Sequence, residues 1–416
     1  MIRRTIKKRV VDSLSLKEIT IITGARQIGK TTLLKEIIND LKHKGKETLY
    51  FNLDIEEDKR HFESQQRLLN KIELEVGRQH AYIFVDEIQQ KENAGRFLKG
   101  IYDMGLPYKF IVTGSGSLEL KEKVSEALTG RKYLIEMGPV SFIEFVNFKT
   151  NYKYQSKLPL FFEAEKEKTE LLLNEYLIFG GYPAVITAGT INRKLEVMND
   201  IFTSYITKDI SYLLKIRQPD KFVKLIRLLA VLSGNILNYT QLAQDVGVKL
   251  DTLKTYLWYA EQTFIIKTVK PYFTNLKKEL TKSPTVYFND LGMLNFSKGG
   301  FRTSPLDGML FQNFIYINLK EKYDKGLSHV NYWRTKDKAE VDFIIHTDYG
   351  VVPVEVKIKK IKNPTVSRSY KSFITKYSPI KGAVVNLELT YELTSGETKV
   401  LFMPYWKLLL QAEELL

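Results

Sequence analysis

The residues with the clearest chemical meaning form a glycine-rich segment near the start of the chain. The segment fits the pattern G-x-x-x-x-G-K-[ST] and consists of Gly24, Ala25, Arg26, Gln27, Ile28, Gly29, Lys30, Thr31 and Thr32. Glycines at such positions let backbone N–H groups turn toward phosphate oxygens. Lys30 is predicted to reach the β- and γ-phosphates of a nucleotide, and Thr31 to hold Mg²⁺. The alternative is a glycine turn with a chance lysine.

Two carboxylates farther along the chain extend this chemistry. Asp86 and Glu87 follow the apolar run Ala81–Val85, which is typical of a strand buried on both faces of a parallel sheet. Ligands of such sheets bind where the strands end. Asp86 is predicted to bind Mg²⁺, directly or through water, and Glu87 to orient and activate the attacking water. The alternative is an acidic pair that caps the next helix.

Two other candidates have weaker signals. A strand at Tyr108–Val112 leads into several hydroxyl residues, of which Ser115 is preferred as a partner of the γ-phosphate, with Thr113 second. Helix capping by Ser115 is the alternative. Arg131 is a candidate arginine finger, acting in the same chain or on a neighbouring subunit of a homo-oligomer. A surface arginine without a role is the alternative.

These residues need a strand, a loop and a helix in that order. Residues 18–23 form a β-branched run that predicts a strand, and Thr32–Ile38 has apolar residues at helical spacing. A second strand is predicted at Thr48–Leu53, followed by a polar helix from about Lys59 to Gly77. The alternation of strands and helices predicts a parallel sheet sandwiched by helices.

Length and composition restrict the class of protein. The 416 residues carry a net charge of +15, which suits a polyanionic partner such as nucleic acid, although charge alone identifies no ligand. The absence of cysteine excludes structural disulfides and thiolate metal sites. The basic start, Met1–Arg9, lacks the apolar core of a signal peptide, and no apolar run is long enough to span a bilayer. We therefore expect a cytoplasmic protein with no membrane partner.

Several motifs together resemble those of a family of prokaryotic AAA+-type ATPases, in which an ATPase domain precedes a C-terminal region of unknown function. The motifs are Gly24–Thr32, Phe84–Gln89, Val112–Ser115, Thr129–Arg131, Pro139–Phe142 and the Gly-Gly-Tyr-Pro segment Gly180–Pro183. The resemblance implies binding of ATP rather than GTP, and its hydrolysis. It assigns Lys30, Thr31, Asp86 and Glu87 the roles given above.

The middle of the chain is predicted to be helical, with a tight turn at Gly180–Pro183. From Lys221 onward, three short helices precede two strands, Phe264–Val269 and Thr285–Phe288, which are joined by a lysine-rich loop. This order resembles a winged helix-turn-helix. In a DNA-binding version the residues that face DNA would be Lys249, Lys254, Thr255, Lys277 and Lys278. A protein-packing winged helix is the alternative, because Asp251 and Trp258 lie on or near the same face.

The C-terminal region resembles the PD-(D/E)xK nuclease core. Asp342, Glu355 and Lys357 match its carboxylates and lysine, which in active members hold Mg²⁺ and help to position the attacking water. Gln312 takes the position where active members commonly have a glutamate, and an amide is a poorer ligand for a hard cation. Glu340 is the candidate to compensate. A structural or binding role is favoured over cleavage.

The sequence therefore predicts an α/β multidomain protein that uses ATP and Mg²⁺. Its expected parts are a P-loop ATPase domain (1–155), a helical connector (156–218), a winged helix-turn-helix (219–300) and a restriction-endonuclease-like domain (301–416). We expect an ATPase that couples nucleotide state to binding of double-stranded DNA. An ATP-regulated protein-interaction switch and an ATP-gated DNA nuclease are the alternatives.

Overall fold

The computed structural model describes residues 1–115, 127–207, 210, 218–301, 307–323, 329–348 and 350–411. Contacts divide the chain into two compact units. Unit 1 comprises Met1–Glu144, Tyr182–Pro219 and Leu257–Ile265, and unit 2 comprises Phe145–Gly181, Asp220–Tyr256 and Ile266–Leu416. These interleaved segments differ from the consecutive domains expected from the sequence, since the predicted connector contributes to both units.

The described α-helices are, in chain order, α1 (Ile6–Asp12), α2 (Lys30–His43), α3 (Glu56–His61), α4 (Gln65–Val76), α5 (Ala94–Asp103), α6 (Phe142–Lys149), α7 (Leu158–Ala164), α8 (Lys166–Phe179), α9 (Pro183–Thr187), α10 (Ile191–Ser204), α11 (Pro219–Val231), α12 (Tyr239–Val246), α13 (Leu250–Gln262), α14 (Leu276–Thr281), α15 (Leu291–Ser297), α16 (Gly308–Tyr323), α17 (Arg368–Tyr377) and α18 (Tyr405–Leu410). The described strands are β1 (Ile19–Gly24), β2 (Thr48–Asn52), β3 (Ala81–Asp86), β4 (Tyr108–Ser115), β5 (Lys132–Glu136), β6 (Ile266–Val269), β7 (Thr285–Phe288), β8 (Val330–Arg334), β9 (Glu340–Thr347), β10 (Gly350–Val356), β11 (Lys381–Asn386), β12 (Tyr391–Ser395) and β13 (Thr398–Pro404).

Within the described residues, unit 1 is built on a five-stranded parallel sheet in the order β2-β3-β4-β1-β5. All six residues of β1 are buried, as its β-branched sequence predicts. Helices α4 and α5 contribute Leu68, Ile72, Leu98 and Ile101 to the core on one face. Because the strands are parallel, β1, β2, β3 and β4 all end at the same edge, and this edge carries the predicted nucleotide residues.

The prediction of one polar helix after β2 is wrong in detail, because this segment forms two helices, α3 and α4. Phe62, between them, is fully buried, and this fixes the chain in a turn. Ser64 then starts α4, since its hydroxyl accepts a hydrogen bond from the Arg67 N–H at 3.2 Å. The burial of Phe62 and the cap at Ser64 therefore interrupt the helix that the sequence pattern predicts.

Unit 2 contains, among its described residues, a six-stranded mixed sheet in the order β12-β13-β11-β10-β9-β8. Strands β8, β9 and β10 form an antiparallel meander, and β11 pairs parallel to β10. Helices α16 and α17 pack against β9 and β10. The core between α17 and the sheet includes Trp333, Tyr370, Phe373 and Phe402.

The three helices and two strands predicted upstream of this sheet are also present. They are α11, α12 and α13, followed by the antiparallel pair β6 and β7. The lysine-rich connection between the strands holds a short helix, α14, which the sequence interpretation treated as a loop. Lys249, Lys254 and Thr255 are exposed, and so is Asp251. The use of these elements as a winged helix stays a prediction.

Candidate functional site

The glycine-rich segment forms a tight loop between β1 and α2. Gly29 precedes the first turn of α2 with φ of 96°, a conformation that suits glycine. Gly24 allows a close backbone approach, because a Cβ atom there would lie 2.2 Å from the Met137 carbonyl oxygen. The first N–H groups of α2 point toward the loop, as in helix termini that bind anions.

Lys30 lies inside this loop. Its Nζ donates hydrogen bonds to the carbonyl oxygens of Gly24 at 3.0 Å and Ala25 at 2.7 Å, and the residue is 5% exposed. The Glu87 carboxylate also interacts electrostatically with this ammonium. The geometry therefore provides a positive charge within a loop whose shape suits phosphate.

Asp86 accepts hydrogen bonds from three hydroxyl groups. Thr31 Oγ1 lies 2.6 Å from Asp86 Oδ2, and Tyr50 Oη lies 3.1 Å from the same oxygen. The Thr113 hydroxyl contacts Asp86 Oδ1. Burial, followed by the nearby Asp86 charge, raises the pKa of Tyr50 well above its usual value, so this phenol stays a donor. The set consists of hard oxygen atoms, which are the donors that Mg²⁺ prefers, so these residues fit that ion.

Glu87 follows Asp86 with φ of 57°, which turns the chain sharply as the strand ends. Its N–H donates to Thr113 Oγ1 at 3.3 Å, and its carboxylate contacts the Gln89 amide. Burial raises the pKa of Glu87, while the charge of Lys30 opposes the shift. A carboxylate shifted in this direction is a better proton acceptor than an exposed glutamate.

Arg4 supports the phosphate loop from the N-terminal segment. Its guanidinium donates to the carbonyl oxygens of Ile28 at 2.9 Å and Gly138 at 2.7 Å, and forms an ion pair of 3.0 Å with Glu144. Both charged side chains are nearly buried, at 9% and 3% exposure. Sequence reasoning missed this pair because its members are 140 positions apart and neither belongs to a recognisable motif.

The two weaker candidates of the sequence interpretation have different outcomes. Ser115 pairs through its backbone with Gly24 at the correct edge, but its side chain lies outside the described part of the structure. The second choice, Thr113, contacts Asp86 directly. Arg131 immediately precedes β5, and the register of Ile19 with Lys132 puts it at the opposite edge of the sheet. That edge is about 16 Å from the loop at roughly 3.3 Å per residue, and Arg131 forms an ion pair with Asp103 at 2.7 Å. In its own chain the arginine would have to span this distance to reach a bound phosphate, and its action as a finger stays a prediction.

A second polar cluster lies in unit 2. Gln312 Nε2 donates to Asp342 Oδ1 at 2.7 Å, and the Val356 N–H donates to Asp342 Oδ2 at 2.7 Å. Lys357 Nζ lies 2.5 Å from Glu355 Oε1. Burial raises the pKa of Asp342 to about 7, and the neighbouring Glu355 charge adds to the shift. Four of the five residues predicted for this site therefore meet.

The fifth predicted residue, Glu340, points elsewhere. Its exposed carboxylate lies 3.6 Å from Arg334 Nη1 across the β8–β9 pair. Among the described residues, no group of three or more His, Asp or Glu side chains is arranged to hold a metal ion. The compensation that the sequence suggested for Gln312 is therefore not seen.

Two basic loops flank this cluster. We use this name for residues 335–339, between β8 and β9, and residues 357–367, after β10. The strand register brings both loops to the same end of the sheet, because Arg334 pairs with Glu340 and Val354 pairs with Phe343. The exposed basic residues in and beside the loops are Arg334, Lys336, Lys338, Lys357, Lys359, Lys360, Lys362 and Arg368.

Comparison with known protein families agrees with the geometry of unit 1. Residues 16–146 match an AAA domain. This match and the loop geometry support a P-loop ATPase of the AAA+ type. Residues 170–303 match a domain of unknown function, DUF8612, and residues 307–406 match another, DUF4143.

Proteins that resemble most of this chain add little about its function. An uncharacterized protein of Methanocaldococcus jannaschii is 26% identical over 97% of this chain and 91% of its own length. Among solved structures, Cdc6p from Pyrobaculum aerophilum has a TM-score of 0.30 and 11% identity, covering 71% of this chain and 94% of its own. The replication initiator DnaA bound to AMPPCP and single-stranded DNA has a TM-score of 0.31 and 17% identity, covering 63% and 90%. These scores are too low to carry a structural argument. None of the helices described in either unit has the length and hydropathy required to cross a membrane.

Proposed function

We propose that this protein binds ATP with Mg²⁺, hydrolyses it, and uses the nucleotide state to control binding to double-stranded DNA. The observation that carries the first part is the 2.6 Å contact between Thr31 Oγ1 and Asp86 Oδ2. It joins the end of the glycine-rich loop to the end of β3, with Lys30 and Glu87 on either side.

Each residue of this site has a role that follows from its contacts. Lys30 would exchange its two carbonyl partners for phosphate oxygens, which form stronger hydrogen bonds because they are charged. Thr31 and Asp86 would hold Mg²⁺, which supplies charge neutralisation at the β- and γ-phosphate oxygens. Glu87 would accept the proton of the attacking water, and its raised pKa favours that role. Thr113 would keep Asp86 and Glu87 aligned, since it contacts both.

The first part is tested by nucleotide binding and turnover in Lys30→Ala. We expect ATP affinity to fall at least about 100-fold, because the variant lacks the charge that neutralises the phosphates. Lys35→Ala is the matched control, since Lys35 is an exposed lysine in the same helix. Unchanged ATP affinity in Lys30→Ala would refute the assignment.

The DNA-binding part rests on the basic loops of unit 2. They present exposed lysines and arginines from two separate segments at one end of the sheet, whereas Asp337 and Glu340 are the exposed acids among them. Clustered cations of this kind bind phosphate backbones and release counterions. Duplex DNA is the polyanion that we propose for this surface.

The test is the salt dependence of duplex DNA binding by the double variant Lys336→Ala, Lys338→Ala. We expect weaker binding and a salt slope smaller by up to about 2, one for each lost phosphate contact. The control is Lys44→Ala with Lys46→Ala, which removes two exposed lysines from unit 1. An equal loss in both double variants would mean that net charge, rather than this surface, determines affinity.

Coupling between the two activities is tested by reciprocity. If duplex DNA stimulates ATP turnover through a change in nucleotide affinity, a non-hydrolysable ATP analogue must change DNA affinity by the same factor. A protein-interaction switch predicts slow turnover that DNA does not alter. Salt-sensitive DNA binding with no effect on turnover would therefore leave binding and hydrolysis as separate functions.

An ATP-gated nuclease is the second candidate, and the convergence of Asp342, Glu355 and Lys357 favours it. Their present partners argue for a binding or structural role instead. Asp342 accepts from two N–H donors, and Glu355 pairs with Lys357 and accepts from the Ser367 hydroxyl. The assay is Mg²⁺-dependent cleavage of duplex DNA by the unaltered chain and by Asp342→Ala. We expect no cleavage by either; cleavage that disappears in Asp342→Ala would establish the nuclease.

A further inference from the structure

Tyr50 is a residue of the candidate nucleotide site that no sequence motif identified. It lies in β2, at the edge of the parallel sheet, beside β3. Tyr50 pairs in register with Phe84, and Asn52 pairs with Asp86. Side chains alternate along a strand, so Tyr50 and Asn52 lie on the face shared by Phe84 and Asp86. The longer tyrosine reaches Asp86 diagonally, and its hydroxyl donates to Oδ2 at 3.1 Å.

Asn52 is closer to Asp86 in register, but its side-chain oxygen and its backbone N–H have partners in the turn after β2. Its side-chain oxygen accepts from the Asp54 N–H at 3.1 Å, and its own N–H donates to Asp58 Oδ2 at 2.7 Å. The turn after β2 therefore holds Asn52 in place. Within β2, the contact with the Asp86 carboxylate comes from Tyr50.

The three hydroxyls on Asp86 are not equivalent. Thr113 holds Oδ1, whereas Thr31 and Tyr50 share Oδ2. Thr31 belongs to the phosphate loop and is itself predicted to be a metal ligand. A hydroxyl oxygen that binds a metal through a lone pair can still donate its proton, so Thr31 would keep its contact with Oδ2. Tyr50 is the donor to Oδ2 that is not itself a predicted metal ligand. A carboxylate that ligates a metal is oriented by such outer hydrogen bonds.

We propose that Tyr50 is a positioning residue that keeps Asp86 directed toward Mg²⁺ when nucleotide is bound. This inference rests on the proposed ATP site and extends it to a residue outside the recognised motifs. Because Tyr50 acts through Asp86, its removal should weaken the contribution of Mg²⁺ to nucleotide affinity. It should leave the metal-independent part of binding, which depends on the loop and Lys30, unchanged.

The experiment measures the affinity for a fluorescent ATP analogue, in excess EDTA and in millimolar Mg²⁺, for the unaltered chain and for Tyr50→Phe. We expect equal affinities in EDTA. The increase in affinity that Mg²⁺ produces should be about 10-fold smaller in Tyr50→Phe, within the range usual for lost outer hydrogen bonds at metal sites.

Tyr108→Phe is the matched control. Tyr108 lies in β4 of the same sheet, and its hydroxyl donates to the Gly77 carbonyl at 2.7 Å, at the edge away from the loop. Both variants lose one hydroxyl and one hydrogen bond, so both should unfold with similar small losses of stability. Only Tyr50→Phe should change the response to Mg²⁺.

Three results would overturn the inference. The first is a full Mg²⁺ response in Tyr50→Phe, and the second is an equal loss of affinity with and without Mg²⁺, which indicates a general distortion of the loop. The third is the same change in Tyr108→Phe. If the unaltered chain bound no nucleotide at all, the proposed ATP site itself would fail, and that outcome is distinct from the other three.

Discussion

Asp86 in unit 1 is buried and Asp342 in unit 2 is partly buried, and both lie near strand ends. They accept hydrogen bonds from different kinds of donor. Asp86 contacts the hydroxyls of Thr31, Thr113 and Tyr50. Asp342 contacts the Gln312 amide and the Val356 N–H. A hydroxyl oxygen keeps lone pairs that can bind a cation, whereas an N–H group only donates.

We expect this difference to favour a metal ion at Asp86 over one at Asp342. At Asp86, a cation could join the existing oxygens without breaking the contacts of Thr113 and Tyr50. At Asp342, a cation would have to displace nitrogen donors and compete with Lys357, which already pairs with Glu355 at 2.5 Å. The clusters around Asp86 and Asp342 contain similar residue types. We expect them to respond differently to a cation because their hydrogen-bond donors differ.

The largest expected effect concerns Glu87. In Glu87→Gln we expect ATP turnover to fall by about 10²–10⁴-fold, because the amide cannot accept the proton of the attacking water. Nucleotide binding should persist, since Lys30 and Thr31 are unchanged. Measurement of single-turnover hydrolysis separates the two effects. Glu92→Gln, at an exposed position nearby, serves as the control, and more than a tenth of normal turnover in Glu87→Gln would contradict the role.

An effect of comparable free energy is expected in Asp342→Asn, but it concerns the stability of the fold rather than ATP turnover. The pKa of Asp342 is about 7 in the folded chain, against 3.8 ordinarily. The protonated acid is therefore favoured by folding, and its contribution to stability is complete below pH 4 and is lost as the pH rises to 7. Asparagine cannot ionise, so the variant should gain stability relative to the unaltered chain over this range.

The pH-dependent part of this gain should approach about 4 kcal/mol at and above pH 7, from 1.36 kcal/mol per pKa unit. A pH-independent cost of about 1–3 kcal/mol offsets it, because the asparagine NH2 faces one of the two N–H donors. Chemical denaturation between pH 4 and 8 measures the pH-dependent part. Asp337→Asn, at an exposed position, should show no such trend. A difference in stability that did not change with pH would mean that Asp342 is already ionised in the folded state.

A smaller effect is expected when Gln312 is changed to the glutamate of active nucleases. Gln312→Glu removes the donor 2.7 Å from Asp342 and adds a second carboxylate, so we expect a loss of about 1–3 kcal/mol in stability without metal. Millimolar Mg²⁺ should restore most of this loss by binding between the carboxylates. Thermal melting with and without Mg²⁺ provides the measurement.

Gln312→Leu is the control for this experiment, since it removes the same donor without adding charge. Its melting temperature should not respond to Mg²⁺, and neither should that of the unaltered chain. A strong response of the unaltered chain, arising from unit 2, would show that the nitrogen donors at Asp342 do not exclude a metal.

The smallest effect is expected for Arg131→Ala. The variant loses a partly exposed ion pair with Asp103, which contributes about 0.2–1 kcal/mol to the free energy of unfolding. At low protein concentration, ATP turnover should stay within twofold of normal, because Arg131 lies at the opposite edge of the sheet. Turnover assays over a range of protein concentrations also test action on a neighbouring subunit. A tenfold loss in dilute protein would mean that the arginine reaches nucleotide in its own chain.

The residues that sequence could identify are those whose role is determined by near neighbours. Strands β1 and β3 and the loop before α2 follow from uninterrupted apolar runs and from glycine spacing. The convergence of Asp342, Glu355 and Lys357 is consistent with alternation along β9 and β10, whereas the place of Gln312, on α16, came from the resemblance to nucleases. What could not be read were contacts between distant segments. Arg4 with Glu144, and Tyr50 with Asp86, depend on strand order and register, which a single sequence does not specify.

Register also identifies Thr113, the second choice of the sequence analysis, as the hydroxyl next to Asp86. Val85 pairs with Val112, so Asp86 and Thr113 are next to each other across β3 and β4. Once this pairing is known, the threonine is the natural partner of Asp86. Sequence order alone indicated only that a hydroxyl follows the strand.

The interleaving of the two units has a practical consequence for dissecting the protein. The chain passes from one unit to the other five times, so neither unit corresponds to a single uninterrupted piece of the gene. A protease that cleaved one of these crossings would leave four covalent links intact, and a fragment ending near residue 150 would lack two stretches of its own unit. Single-residue replacements in the intact chain are therefore the appropriate way to silence one unit while the other is assayed.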